Sequence, residues 1–221
     1  SPIRIANVDV GTNPFAIAIS GRYAYVTNNG ENNMHVLDIS NPYFPVNVAT
    51  VDVGNQPYHV YVSGNRAYTT NYAEDSISII DISDPTTPVK MSSTTVGSGP
   101  DHVFVAGRYA YVTNEGGTLS IVDVSSSTRP IMVSNNTVGN APIAVSVSGR
   151  NAYIANSGNA SMSIIDVSGT EVSSLLAHSA DIGVLQVRSD MSVQGGLNIN
   201  TSLIVGNGGI MSGGALSIFA S

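Results

Sequence analysis

The stretch Gly21-Arg22-Tyr23-Ala24-Tyr25-Val26-Thr27-Asn28 is the most informative part of this chain of 221 residues, because near-copies of it occur three more times. The further copies begin at Gly64, Gly107 and Gly149, so the spacing is 43, 43 and then 42 residues. A period this regular is the signature of a chain built from structural repeats. The repeat is therefore the structural unit of this protein.

Each repeat predicts four short strands. The first strand follows a proline and alternates residue by residue, as from Pro14 to Ile19. A Ser-Gly or Ala-Gly pair turns the chain into an aromatic and β-branched second strand, which predicts a hairpin. The third strand ends in an apolar-Asp-apolar-Ser pattern, and a proline-containing turn starts the fourth. Four such strands in about 40 residues is the period of a propeller blade. The predicted fold class is all-β: a β-propeller built of four-stranded antiparallel blades, with four repeats of about 43 residues, followed by a Gly-rich β stalk.

The repeat region is incomplete at both ends. Residues Ser1 to Gly11 match Pro45 to Gly54, so we expect the chain to start in mid-blade and to contribute one strand there. The last repeat stops after three strands. Pairing of the two ends would close a ring of four blades and cover both free sheet edges. Because four blades make an unusually small ring, we favour either a truncated larger propeller or closure between chains.

The repeats resemble two known families. The four YVTN-like runs and the four apolar-Asp-apolar-Ser strands, such as Ile80-Asp81-Ile82-Ser83, are similar to the YVTN and LVIVD β-propeller repeats of prokaryotic surface and secreted proteins. The resemblance covers residues 1–168, with small departures at Thr69 and Ala155. It implies an extracellular or cell-surface location and a surface-layer or adhesive role, and it carries no shared catalytic signature.

The period ends at Gly169. Residues 169–180 predict a linker or short neck, and residues 181–221 predict a Gly-rich β stalk in which short alternating segments are separated by glycine pairs. Strands of three to five residues bury little surface alone, so we expect them to stack on other copies of the chain. The segment resembles the β shafts of phage-tail-fibre-like and adhesin-like proteins, many of which are trimers. It is therefore predicted to be an oligomerisation segment.

Composition excludes several classes of partner. Charged residues make up only 10% of the chain, the net charge is −7, and Lys and Arg form no cluster that could neutralise phosphates. We therefore expect neither nucleic acid nor an anionic membrane surface as a partner. No stretch approaches the roughly 20 apolar residues of a membrane span, so membrane insertion is not expected. A neutral polar surface rich in Ser, Thr, Asn and Gly suits a secreted or surface protein.

Residues that recur in every repeat are predicted to be structural, because a catalytic site is needed once whereas each blade has to be held together. Two sets meet this criterion: Asp38, Asp81, Asp123 and Asp166, and Tyr25, Tyr68, Tyr111 and Tyr153. The chain contains no phosphate-binding loop, zinc-protease helix or nucleophile elbow. We therefore predict no catalytic residues and no enzymatic activity.

Positions at which the repeats differ in residue type are the candidates for a functional site. His59 and His102 occupy the first-strand position that is Ala16 and Ala144 in the other repeats. In a propeller this strand lies nearest the channel, so the pair is a weak candidate for a metal or ligand site at the channel mouth. Neither His35 nor His178 obviously completes such a site. No cofactor is expected, although the acidic loops leave calcium open without matching a known calcium-loop spacing.

The sequence therefore predicts an extracellular structural or adhesive surface protein, such as a filament, fibre or surface-layer component. Its predicted partners are other copies of itself, through the C-terminal tail or through blade closure between chains, and a surface protein or glycan. The alternative is a propeller module that binds a ligand or metal at the channel mouth, and an enzyme is the minority hypothesis.

Overall fold

The computed structural model describes residues 1–168, within which fifteen β-strands form four antiparallel sheets. Strands that follow one another in the chain are neighbours in each sheet, and we call the sheets blades 1 to 4. Blade 1 contains β1 (Pro14–Ser20), β2 (Tyr23–Asn28), β3 (Asn33–Asp38) and β4 (Val46–Asp52). Blade 2 contains β5 (Pro57–Ser63), β6 (Arg66–Asn71), β7 (Ser76–Asp81) and β8 (Val89–Thr95). Blade 3 contains β9 (Pro100–Ala106), β10 (Tyr109–Asn114), β11 (Thr118–Asp123) and β12 (Ile131–Thr137). Blade 4 contains β13 (Pro142–Ser148), β14 (Asn151–Asn156) and β15 (Ser161–Asp166).

The predicted fold class is confirmed for these residues. The first two strands of every blade form the expected hairpin, whose turn carries a glycine at φ between +56° and +59°. Only glycine adopts this left-handed conformation without steric cost, which explains why the repeated stretch begins with that residue. Two short 3₁₀ helices, Tyr72–Glu74 and Ser157–Asn159, are the only helices among the described residues. None of the described helices is long and apolar enough to cross a membrane.

The blades stack face to face in chain order. The first strand of each blade packs against the first strand of its neighbour, β1 on β5, β5 on β9 and β9 on β13, and we call these four the inner strands. Between blades 1 and 2, Tyr25, Met34 and Val36 of blade 1 meet Val60 and Ile80 of blade 2 in one buried cluster. Equivalent residues fill the clusters between blades 2 and 3 and between blades 3 and 4. We call the side that a blade turns toward the following blade its back face, and the opposite side its front face.

The expected strand at the start of the chain is not formed, which corrects that part of the prediction. Residues 1–13 contain no strand. Val8 and Val10 instead pack against a small cluster of Ala24, Val26 and Leu37 on the front face of blade 1. A strand requires a partner edge for its hydrogen bonds, and this segment pairs with no described strand. The described residues therefore have fifteen strands rather than the sixteen that were expected.

The two ends of the row of blades do not pack on each other as neighbouring blades do. The inner strands β1 and β13 are not among the packed pairs, so the four blades form an open row rather than a closed ring. A ring closed by pairing of the two chain ends, which was considered but not favoured, is therefore not observed in residues 1–168. The predicted linker at 169–180 and stalk at 181–221 lie outside the described residues.

Candidate functional site

The clearest difference between the repeats places two imidazoles together. His59 lies on β5 and His102 on β9, the neighbouring inner strands of blades 2 and 3. Their ring centroids are 3.9 Å apart and their planes are inclined by 30°, so the rings stack. The predicted proximity of these two residues is therefore present in the structure.

Threonines of the YVTN-like strands fix the backbone beside both histidines. The His59 N–H donates to Thr70 Oγ1 at 2.9 Å, and the His102 N–H donates to Thr113 Oγ1 at 3.2 Å. The Thr70 hydroxyl in turn donates to the Asp101 carbonyl oxygen of the next blade at 2.9 Å. Thr70 therefore forms hydrogen bonds both with the inner strand of its own blade and with the next blade.

Both imidazoles are held in the neutral form. Burial, and then the proximity of His102, lower the pKa of His59 to about 3. Burial also lowers the pKa of His102. Charging either ring would require desolvating an ion, and charging both would place like charges in contact. At neutral pH the pair therefore presents ring nitrogens that can accept a hydrogen bond or a metal.

The geometry of the pair is poorly suited to chelation. His59 Nδ1 already accepts a hydrogen bond from the Val103 N–H at 3.4 Å, whereas His102 Nδ1 is buried and has no hydrogen-bond partner. In stacked rings the nitrogen lone pairs lie in two nearly parallel planes and do not converge on one point. No group of three or more His, Asp or Glu side chains within residues 1–168 could hold a metal ion. His35 lies on β3 and contacts Asn47 instead.

An aromatic and acidic corner lies beside the histidines. Phe15, Tyr58 and Tyr72 form a continuous stack with centroid separations of 4.2 and 4.5 Å. The Tyr72 hydroxyl donates to Glu115, an interaction that raises the pKa of Tyr72 to about 12. Burial, and then the charge of Glu115, raise the pKa of Asp101. Two repeat positions supply this corner: Phe15, Tyr58 and Asp101 are equivalent residues of blades 1 to 3, and Tyr72 and Glu115 are equivalent residues of blades 2 and 3. The residue type at both positions changes between repeats, so no recurring pattern marked the corner.

The aspartates that end the third strands each cap a turn. One carboxylate oxygen accepts a hydrogen bond from the backbone N–H two residues later, at 2.8 to 3.0 Å, in Asp38, Asp81, Asp123 and Asp166. Arginines of the hairpin turns pair with three of these carboxylates, for example Arg22 with Asp38 at 2.9 Å. The bond from Arg108 lowers the pKa of Asp123 to about 2, and bonds from Ser168 lower that of Asp166 to about 2. These interactions stay within one blade.

The repeated tyrosines lie on the back faces of their blades. Tyr25, Tyr68 and Tyr111 are buried in the three clusters between blades. Tyr153 is only half-buried, because blade 4 has no following blade among the described residues. Burial raises the pKa of each of the three buried phenols.

Sequence reasoning missed the asparagine that closes each YVTN-like stretch. Asn28, Asn71, Asn114 and Asn156 are all buried within strands, and their side-chain amides donate to the neighbouring third strand or the turn before it. Three of them lie directly under a glycine of the segment that crosses from the preceding blade. A polar residue retained inside a strand in all four repeats was the signal that could have revealed this role.

The acidic loop residues have partners within the protein. Glu31 accepts hydrogen bonds from the backbone and side chain of Thr12, at 3.0 and 2.8 Å, and these bonds lower its pKa. Asp75 accepts from the Gly99 N–H at 2.8 Å, and Glu115 accepts from Tyr72. Asp75 and Glu115 therefore connect blades 2 and 3, whereas Glu31 connects a loop of blade 1 to the segment that leads into the same blade.

Comparison with known families gives one match. The family model described as the LVIVD repeat matches residues 15–53, 58–96, 100–138 and 140–175. The four matches together cover more than half of the chain and coincide with the four blades. No protein of curated function matches the chain.

Solved structures share the fold at low identity. The computationally designed Ika4 protein is 9% identical with a TM-score of 0.63, over 76% of this chain and 99% of that one. A functionally unknown protein from Desulfotomaculum acetoxidans is 16% identical with a TM-score of 0.65, over 75% of this chain and 58% of that one. The periplasmic gluconolactonase PpgL of Pseudomonas aeruginosa is 18% identical with a TM-score of 0.62, over 69% and 49% of the two chains. This chain thus spans about half to three fifths of the two natural proteins.

Proposed function

The chain belongs to the LVIVD repeat family, and from this premise we propose that it is an extracellular structural or adhesive surface protein that displays its blades to a protein or glycan partner. One observation carries the proposal. The polar residues that recur in the repeats take part in hydrogen bonds within a blade or between blades, as Asp81 does with Ser83 and Asn71 with Ser78. The residues that vary lie in exposed loops and at the inner strands. Recurring residues that stabilise the blades, together with variable residues in the loops, are what a rigid scaffold needs to present different binding surfaces.

The Gly-rich tail would bring several chains, each with its own set of blades, into one assembly. In this proposal residues 181–221 assemble with the same segment of other chains, so that several sets of blades reach the partner together. Weak single contacts then add as avidity, because the second contact forms at a high effective concentration. Self-association and surface location are thus parts of one mechanism.

The first test measures the mass of the chain in solution by light scattering, before and after removal of residues 181–221. We expect a multimer for the full chain and a smaller species for the shortened chain, with the β-rich circular dichroism signal retained. An unchanged mass after shortening would contradict assembly through the tail. Antibodies against the blades should label intact cells of the source, and labelling only after the cells are opened would contradict the surface location.

The second candidate function is a ligand-binding module with its site at His59 and His102. The buried and unpartnered His102 Nδ1 favours it, since a ligand donor could satisfy this atom. One of the similar structures is a gluconolactonase, so gluconolactone is a suitable probe for both binding and turnover. Replacing both histidines by Ala, the residue of blades 1 and 4, should abolish any binding while the mass in solution stays the same. Binding that survives the double substitution would remove this candidate.

A further inference from the structure

The back face of blade 4 exposes the residues that the other blades bury. Met162 and Ile164 are 62% and 55% exposed, whereas their equivalents Met34 and Val36 in blade 1 are fully buried. The equivalents in blades 2 and 3, Ile77 and Leu119, are also fully buried. Blade 4 therefore presents to solvent an apolar surface shaped to receive the front face of another blade.

The front face of blade 1 shows the complementary exposure. Ile17 on the inner strand β1 is 62% exposed, whereas its equivalents Val60, Val103 and Val145 are at most 3% exposed. Each of these three valines packs against the back face of the preceding blade. The open row of blades thus ends in two surfaces that match each other in the way the internal interfaces do.

An unpaired strand edge accompanies the exposed back face. In blades 1 to 3 the third strand pairs with a fourth strand, whereas β15 has no fourth-strand partner among the described residues. Residues 3–9 repeat the sequence pattern of β4 but pair with no described strand, and Ile3 and Ile5 are exposed. An open edge and an unpaired strand-like segment therefore lie at opposite ends of the same row of blades.

We propose that a second copy of this chain docks head to tail, with the front face of its blade 1 on the back face of blade 4 and its residues 3–9 added to β15 as the missing fourth strand. The partner is a second copy because the internal interfaces already show that the two faces fit. Strand addition also satisfies the backbone groups of the open edge. The inference rests on blade geometry alone and does not depend on surface location or on the tail.

The position of residues 8–10 agrees with this arrangement. Val10 already lies against the front face of its own blade 1, as its equivalent Val53 lies in the cluster between blades 1 and 2. Residues immediately before Val53 form β4 on the preceding blade. Residues 3–9 of the second copy would reach β15 of the first copy by the same path, without displacing the contacts of Val8 and Val10.

The pairing of β3 with β4 gives the expected register. His35 faces Thr50 and Met34 faces Val51 in that ladder. If the same register forms at the junction between two copies, Ser163 of one copy faces Asn7 of the next, and Met162 faces Val8. Because the chain contains no cysteine, this register can be tested with introduced cysteines alone.

The test mixes an Asn7→Cys chain with a Ser163→Cys chain that carries a mass tag, under oxidising conditions. We expect a disulfide between the two different chains, detected by intact mass, because directly opposed strand residues lie within disulfide range. Pairing Asn7→Cys with Ser126→Cys, which lies on an exposed turn outside both faces, controls for random collision. A chain with His35→Cys and Thr50→Cys should form its disulfide internally and shows that the ladder position permits the bond.

Two outcomes would overturn the proposal. A chain carrying both Asn7→Cys and Ser163→Cys that cross-links only within itself would show that the four blades close into a ring within one chain. No cross-link in either experiment, with the His35 and Thr50 control positive, would show that no second copy docks its residues 3–9 on β15. Neither outcome bears on assembly through the tail, which is read from the mass of the shortened chain.

Substitutions on the two faces test the packing itself. Ile17→Asp should reduce the yield of the cross-link between chains at least about tenfold, because it places an unpaired charge in the interface. Val89→Asp changes a similarly exposed residue on the outer strand β8 and should leave the yield unchanged. Equal yields for both variants would contradict docking through the front face.

Ala155 offers a variant that should strengthen the contact. Its equivalents Thr27 and Thr70 donate hydrogen bonds to carbonyl oxygens of the next blade, Tyr58 at 3.4 Å and Asp101 at 2.9 Å. Ala155→Thr restores this donor on the back face of blade 4, opposite the Phe15 carbonyl oxygen of the docked copy. We expect association about fivefold tighter, the effect of one additional hydrogen bond. Association that is unchanged or weaker would show that the junction does not repeat the internal interfaces.

Discussion

At the scale of the residue, the histidine pair shows how position in the repeat changes the chemistry of a side chain. The inner-strand site is alanine in blades 1 and 4, where it needs no hydrogen-bond partner. In blades 2 and 3 the two imidazoles fill the same space against each other, at a centroid distance of 3.9 Å. Burial keeps both rings neutral, so the folded state resists protonation that the unfolded chain accepts freely.

This difference predicts an acid-sensitive stability. The unfolded histidines titrate near pH 6.5, whereas the pKa of folded His59 is about 3, so the unfolded state binds more protons between these values. The stability is fully present above pH 6.5 and is lost as the pH falls toward 3. We expect a loss of about 1 to 2 kcal/mol between pH 7 and pH 5 from this site, measured by urea unfolding.

Replacement of both histidines by Ala should flatten the pH dependence between 6.5 and 5, whatever it does to the stability at pH 7. His35→Ser, which places the residue of the other three repeats on β3, should retain the steep acid loss. A double variant with the pH dependence of the parent chain would show that these rings are not the groups that titrate.

At the scale of the element, the crossover between blades depends on a glycine and an asparagine that touch. A Cβ added to Gly54 would lie closer than 3.0 Å to the side chain of Asn71, a separation that real Cβ atoms essentially never show. Asn71 donates to Ser76 and Ser78 at 3.0 and 2.9 Å and is completely buried, so it has no room to move. The crossover segment therefore lies directly on the second strand of the next blade.

Gly54→Ala is accordingly expected to lower the free energy of unfolding by about 1 to 3 kcal/mol through overpacking. Gly116→Ala is the matched control, because its added Cβ would meet no atom closer than 3.4 Å and its φ is not positive. The substitution Asn71→Ala should destabilise the parent chain more than it destabilises the Gly54→Ala chain, since it removes the clash there. Strictly additive losses in chemical denaturation would contradict a direct contact between the two residues.

At the scale of the whole molecule, equivalent residues of different blades contribute differently to the free energy of unfolding. Ile79 in blade 2 is fully buried against blade 3, whereas its equivalent Ile164 in blade 4 is 55% exposed. Sequence identity at the two positions therefore does not imply equal contributions to stability. The neighbouring blade decides how much apolar surface each isoleucine removes from water.

Ile79→Ala should cost about 2 to 5 kcal/mol, the usual effect of truncating a buried isoleucine. Ile164→Ala should cost less than about 1 kcal/mol at a dilution where chains do not associate. Thermal and urea unfolding of the two variants provide the comparison. If the two losses were equal, the fourth blade would be covered in solution, and the concentration dependence of the Ile164→Ala effect would then show whether a second copy covers it.

The repeated Gly21 to Asn28 stretch, the inner-strand prolines and the Asp of each third strand were sufficient to predict four antiparallel blades, because local backbone preferences and alternation encode strands and hairpin turns. Proximity of His59 and His102 also followed from repeat position. The stack of Phe15, Tyr58 and Tyr72 did not. Phe15 and Tyr58 occupy the same repeat position but meet only when blades 1 and 2 pack, and Tyr72 comes from a position whose residue differs in every repeat.

The repeat, the order of strands within each blade and the inner position of the two histidines could be predicted from the amino-acid sequence, since these depend on residue patterns a few positions apart. Three features are visible only in the folded chain: residues 1–13 form no strand, Asn71 supports Gly54, and the row of four blades is open with Ile17 at one end and Ile164 at the other. These features depend on which surfaces find a partner. A repeated sequence specifies the surface of a blade, but the burial of that surface depends on the blade beside it.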